Sequence, residues 1–137
     1  MEYNDVRQSL RASLELAGLD EACAGTLLWR GEEQTLEHGE VIYAEGESLD
    51  GTFCLLLSGE LLVEKGGAIV GQMTDPQIFG EMAYFNRPQR RAATVTVGSM
   101  QAVILKIRLT IADLASARFA SLRNHLSRQT WDRMLAA

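Results

Sequence analysis

Cysteine, proline and histidine each occur only twice in this 137-residue chain, and aromatic residues make up 7% of it. Two cysteines, Cys23 and Cys54, are too few for a disulfide framework and are expected as buried free thiols. Two histidines, His38 and His125, stand far apart with no cysteine or carboxylate at ligand spacing, so no metal site is expected. No apolar run approaches the roughly 20 residues that span a bilayer, and the start, Met1-Glu2-Tyr3-Asn4-Asp5, is polar and acidic, unlike a signal peptide. A cytoplasmic location is the expectation. A basic excess is also missing: 13 Lys and Arg against 18 Asp and Glu give a net charge of −5, which works against direct nucleic-acid binding.

What remains is an ordinary globular composition, 47% hydrophobic and 23% charged, of a length suited to one core. Residues 4–28 read as helical. Val6, Leu10, Leu14 and Ala17 recur at helical spacing after Asn4 or Asp5 as N-cap, and Gly18 supplies a stop. A second short helix follows, capped by Asp20, with Glu21 at its positive end and Leu27, Leu28 and Trp29 expected to pack against what comes next.

From Gly31 to about Ile107 the texture becomes short apolar or alternating runs: 41–43, 52–57, 60–64, 68–72, 92–97 and 102–107. Gly39, Gly46, Gly51, Gly59, Gly66-Gly67 and Gly98 punctuate them, and such close spacing favours a small barrel or sandwich over parallel βαβ units. In Gly31-Glu32, Gly39-Glu40, Gly46-Glu47 and Gly59-Glu60, glycine is expected to turn the chain at positive φ while glutamate stays in water. After Ile107 helical spacing returns, first as a brief turn through Ile111, Leu114 and Ala115, then as Phe119, Leu122, Leu126, Trp131 and Met134. The expected organisation is one domain over 1–137: helices in 1–30, a β region in 31–107 and helices in 108–137. The tail is too short for a separate DNA-reading domain.

Gly80-Glu81 differs from the other pairs because it opens an apolar segment, Met82-Ala83-Tyr84-Phe85, between two β regions. A short helix beginning there would expose unpaired amide N–H groups and allow close backbone approach, a setting for a small anion. Asn86-Arg87-Pro88-Gln89 reads as a turn, and Arg91 would return across it with paired N–H donors for the same anion. Glu81 beside a phosphate needs another task, such as accepting from a sugar hydroxyl, as carboxylates do in dinucleotide folds.

Phe79-Gly80-Glu81-Met82-Ala83 followed by Arg91-Ala92-Ala93-Thr94-Val95 closely resembles the phosphate-binding cassette of cyclic-nucleotide-binding domains, as found in catabolite activator proteins, protein kinase A regulatory subunits and gated channels. Gly39-Glu40-Val41-Ile42, Glu45-Gly46-Glu47 and Leu57-Ser58-Gly59-Glu60 resemble the family's early strands, so the similarity covers most of the chain. The resemblance implies a mainly β fold with flanking helices: an eight-stranded, jelly-roll-like β-roll (a double-stranded β-helix) with N-terminal helices, a short internal phosphate-binding helix and C-terminal B and C helices. It implies a regulatory sensor that is not an enzyme, takes no cofactor and binds a cyclic nucleotide. Arg91 matches the arginine that pairs with the cyclic phosphate, and Glu81 the carboxylate that accepts from the ribose 2′-hydroxyl. Phe79, Gly80, Met82, Ala83, Ala92 and Ala93 complete the ligand-binding set. Ala92 lacks the hydroxyl with which members preferring cGMP bond guanine, so cAMP is favoured over cGMP. Two departures stand out: Asp75-Pro76-Gln77-Ile78 where the family commonly has Gly-Asp, and Tyr84 where it has leucine.

The resemblance further implies a lid from the last helix, with Asn124, His125, Arg128 and Trp131 as candidates to cap the base, and coupling of occupancy to an effector protein or domain. Phe119, Leu122, Leu126 and Met134 are expected to pack within the chain, with a homodimer seam along this helix as the alternative. Two other functions compete: a degenerate scaffold that binds nothing, and the regulatory piece of a larger transporter, channel or enzyme.

Overall fold

The computed structural model describes residues 19–74, 77–85 and 89–136, with side chains as far as 128. The helix expected before Gly18, the turn at 86–88 and the side chains of Trp131 and Met134 lie outside the described residues.

Helix α1, Glu21–Arg30, begins as its sequence demands: Asp20 accepts the Cys23 amide at 2.7 Å and Glu21 sits in the first turn. Its buried face is Cys23, Ala24, Leu27 and Leu28. Trp29, expected to pack with them, is 88% exposed, because one residue beyond Leu28 the helix has turned about 100° away from that face.

Eight strands follow among the described residues: β1 (Glu32–Glu37), β2 (Val41–Tyr43), β3 (Thr52–Ser58), β4 (Leu61–Lys65), β5 (Ala68–Met73), β6 (Gln77–Phe79), β7 (Thr94–Val97) and β8 (Gln101–Arg108). They form two antiparallel sheets, ordered β1-β8-β3-β6 and β2-β7-β4-β5, so the chain passes repeatedly from one layer to the other. This is the expected mainly β roll with flanking helices. Strands β1 and β6 gave no apolar run. Glu-Glu-Gln-Thr-Leu-Glu in β1 lies largely exposed at a sheet edge, and β6 has only three residues.

The run Thr-Phe-Cys-Leu-Leu-Leu in β3 does not alternate, because both faces of the strand are covered. Phe53, Leu55 and Leu57 point towards the helices, where they join Leu27, Leu105, Ile107, Leu109, Phe119, Leu122 and Leu126. Cys54 and Leu56 point into the roll with Tyr43, Leu61, Phe79, Val95, Val97 and Ile104. Each fully buried leucine or phenylalanine contributes about 1.5–3 kcal/mol. Burial of Phe119, Leu122 and Leu126 within the chain is the expected intramolecular packing, and it removes those three side chains from a dimer seam.

Gly31 corrects one expectation. Its φ is −72°, so no positive-φ turn is involved. A Cβ there would lie 2.3 Å from Leu105 Cγ, and glycine is required because the backbone crosses directly over β8.

Helix α2 (Ile111–Ala115) opens with a Thr110/Asp113 capping box, and a 3₁₀ turn, Ala117–Phe119, leads into α3 (Ala120–Ala136). Arg30 ties α1 to this region through Asp113 at 3.2 Å, and Ser121 Oγ donates to Asp20 at 3.1 Å. The terminal helices are thereby joined on the outer face of the first sheet.

Candidate functional site

Strand β6 pairs with β3 and delivers the chain to Gly80 at one end of the roll. Gly80 adopts φ +84° and starts a 3₁₀ helix, Glu81–Tyr84. Only glycine fits here: a Cβ would stand 2.6 Å from Tyr43 Cε2 and 3.2 Å from Arg91 Nη1, in a conformation other residues rarely adopt. Glu81 is fully buried, Ala83 is buried and Met82 half-buried.

Tyr84 anchors this helix to the body of the protein. Its hydroxyl donates to the Leu109 carbonyl at 2.6 Å, and its ring meets Phe53 edge-on with centroids 6.2 Å apart. A leucine would supply the packing without the hydrogen bond. Helix α3 packs against this same 3₁₀ helix, so the C-terminal region touches the segment that starts at Gly80.

Arg91 returns to meet Gly80. Its backbone is clamped on both sides, since its N–H donates to Glu47 O at 2.7 Å and its carbonyl accepts from the Gly46 N–H at 2.9 Å. The residue is only 4% exposed. Nη1 donates to Gly80 O at 2.8 Å; Nη2 donates to Asp50 Oδ1 at 2.7 Å and to Thr52 O at 2.8 Å. The guanidinium carbon lies 3.6 Å from the Tyr43 ring centroid, an intimate cation–π stack. The Nε–H has no partner among the described residues.

Beneath Arg91 a polar chain runs inwards from half-exposed Asp50. Thr52 Oγ1 donates to Asp50 Oδ1 at 2.6 Å and lies 2.9 Å from Tyr43 Oη, which in turn lies 3.3 Å from Cys54 Sγ. With the threonine proton directed to Asp50, the tyrosine hydroxyl is the donor to Thr52. Burial pushes the Asp50 carboxyl up, but the Thr52 hydrogen bonds and the Arg91 charge outweigh it and hold the group below its ordinary range. Burial dominates at Tyr43, whose phenol is raised, and at Cys54, whose thiol is pushed up to about 11 despite its bond to Tyr43 and the nearby Lys106 and Arg91. Both thiols are free and buried, as expected.

The structure thus gathers Phe79, Gly80, Glu81, Met82 and Ala83 with Arg91 at one end of the roll, and Phe79 packs edge-on to Tyr43 with centroids 6.2 Å apart. Ala92 and Ala93 follow, half-buried, just before β7. Asn124 and Arg128 are exposed and His125 half-buried; among the described residues no hydrogen bond or ion pair joins Asn124 or Arg128 to this end of the roll. Sequence reading missed Asp50, Thr52 and Tyr43. The usable signal was Asp50-Gly51 just before the most apolar strand, since an arginine entering the core needs a carboxylate beside it.

A two-sheet roll broken between its sixth and seventh strands by a short helix, with a buried arginine returning beneath it, is the architecture of a ligand-binding regulatory module. The cyclic nucleotide-binding domain family matches residues 33–110, from β1 to the cap of α2, and the chain belongs to that family. The chain is 37% identical over 94 residues to the Pycsar effector protein RsmPycTIR of Rhodovulum sp. (strain MB263), covering 67% of this chain and 36% of that one. It is 29% identical over 135 residues to a cGMP-dependent protein kinase of Eimeria tenella, covering 95% of this chain and 13% of that one. The chain therefore spans little more than a third of the first relative and about an eighth of the second. Among solved structures, the regulatory domain of Toxoplasma gondii PKA, crystallised with cAMP, superposes with a TM-score of 0.72 at 24% identity, over 98% of this chain and 52% of that one. Among the described residues no helix is long and apolar enough to cross a membrane.

Proposed function

We propose that this chain is a single sensor module that binds a 3′,5′-cyclic nucleotide, cAMP in preference to cGMP, and reports occupancy through its C-terminal helix to an effector in the same or another chain. The observation that carries this reading is the state of Arg91: buried, oriented by Asp50, Thr52 and Gly80, stacked on Tyr43, and still holding its Nε–H. A guanidinium fixed in advance loses little entropy when an anion arrives. Arg91 takes the cyclic phosphate, Glu81 accepts from the ribose 2′-hydroxyl, and Gly80, Met82 and Ala83 line the sugar-phosphate with Phe79 behind them. Ala92 and Ala93 lie beside the base, and the missing hydroxyl at Ala92 disfavours guanine.

Coupling follows from packing. Helix α3 leans on the 3₁₀ helix that would hold the ligand, so a shift of that helix on binding changes where α3 rests. Ligand binds the closed arrangement more tightly, and the affinity difference sets how far the population moves. Asn124, Arg128 and Trp131 are the lid candidates.

Calorimetric titration with cAMP and cGMP tests the reading. Binding of cAMP ahead of cGMP is expected, and Arg91→Lys, which keeps the charge but loses the planar fork, should weaken it roughly tenfold to a hundredfold. No heat from either nucleotide at millimolar concentration overturns the assignment. Alanine at Asn124 and Arg128 combined with truncation before Trp131 should lower affinity, and unchanged affinity removes the lid role.

A further inference from the structure

The inward-facing row of β8 is Ala102, Ile104 and Lys106. The first two are buried in the core of the roll, and Lys106 continues the row towards the ligand end as its one charged residue. In register Lys106 lies opposite Cys54 of β3, and Cys54 lies opposite Phe79 of β6, so the three form a cross-strand row that ends one residue before Gly80. Lys106 Nζ stands 5.6 Å from the centroid of the Tyr43 ring, the same ring on which Arg91 stacks at 3.6 Å. Two cations thus share one aromatic ring at the floor of the site.

The groups around Lys106 do not neutralise it. Cys54 and Tyr43 are uncharged, Asp50 is bonded to Arg91, and Glu32, opposite on β1, is exposed and forms no ion pair with it. Among the described residues Lys106 has no hydrogen bond or salt bridge. A lysine partly buried beside a second cation opposes folding, and an apolar residue like its neighbours in the row would pack there at less cost. That cost is offset once an anion enters.

We propose that Lys106 is a second ligand-contacting cation, which with Arg91 holds the anionic phosphate of the bound nucleotide from the floor of the roll. The proposal rests on the cyclic-nucleotide reading given above. Arg91 supplies the oriented fork; Lys106 supplies a flexible point charge on a four-carbon stem that reaches the same anion from strand β8.

Lys106→Met, Lys106→Arg and the wild type should be titrated with cAMP at two salt concentrations, and each should be melted without ligand. Lys106→Met is expected to weaken binding about tenfold and flatten its salt dependence, while the ligand-free protein melts at or above the wild-type temperature. Lys106→Arg should recover most of the affinity. If Lys106→Met binds as tightly as the wild type, or if its affinity falls only in step with a lowered melting temperature, Lys106 is a solvated or structural lysine and the proposal fails. A wild type that binds no nucleotide overturns the nucleotide reading and this inference together, whereas wild-type binding with an unaffected Lys106→Met overturns the inference alone.

Discussion

Arg91 Nη2 and Asp50 Oδ1 lie 2.7 Å apart in an ion pair that is lopsided in burial: the arginine side chain is 3% exposed and the aspartate 52%. The charge that is hard to bury sits inside, and its counter-ion faces water. Asp50 therefore works chiefly as an orienting group, with the Thr52 carbonyl and Gly80 carbonyl completing the cradle.

Replacing Asp50 by asparagine should cost about 1–2 kcal/mol at pH 7, less than a fully buried pair because water screens the aspartate. The folded carboxyl is held below its unfolded range, so this stabilisation is complete above about pH 4 and disappears as pH falls through the folded value. Urea melts at pH 7 and pH 2.5 check it: the gap between wild type and variant should close in acid.

Gly80→Ala should destabilise the protein by about 1–3 kcal/mol and abolish any nucleotide-induced rise in melting temperature. The new Cβ meets the Tyr43 ring at 2.6 Å, and that ring is fixed by Arg91 above and by Thr52 and Cys54 at its hydroxyl. A variant with wild-type stability and response would contradict the geometry.

Tyr84→Phe removes the 2.6 Å bond to Leu109 O and leaves a buried carbonyl unsatisfied, at a cost of about 1–3 kcal/mol. Because this bond holds the 3₁₀ helix to the end of β8, amide exchange across residues 81–85 should accelerate by more than the global loss explains.

Cys23 and Cys54 should resist iodoacetamide at pH 8 in the native protein and react fully in guanidinium, as intact mass will show. Burial raises both thiols, Cys54 to about 11. A raised folded value gives stability that is complete below the unfolded thiol value of about 8.5 and is lost as pH climbs towards 11, so Cys54→Ser should blunt the alkaline decline of the melting temperature.

Much of the site was legible because its residues are local in sequence. Gly80 and Glu81 are neighbours, a glycine at a tight turn and a carboxylate that opens an apolar segment, and Arg91 follows within one excursion. Asp50, Thr52, Tyr43 and Lys106 were not legible: they come from strands β2, β3 and β8 and the loop before β3, and nothing in a run such as Val-Ile-Tyr says that its tyrosine will lie under a guanidinium. Trp29 shows the same limit in reverse, since helical spacing gave the right helix but local composition gave the wrong face.

Sequence by itself determined the periodicities: where glycine breaks the chain, where apolar residues recur at helical or strand spacing, and which short segment combines glycine, a carboxylate and a returning arginine. Backbone conformation and local spacing are properties of neighbouring residues, so they can be read along the chain. Only the tertiary structure decided that β3 is covered on both faces, that Asp50 orients Arg91, and that Lys106 shares the Tyr43 ring with it. Those contacts depend on strand order and register, which are set by how two sheets close on a common core.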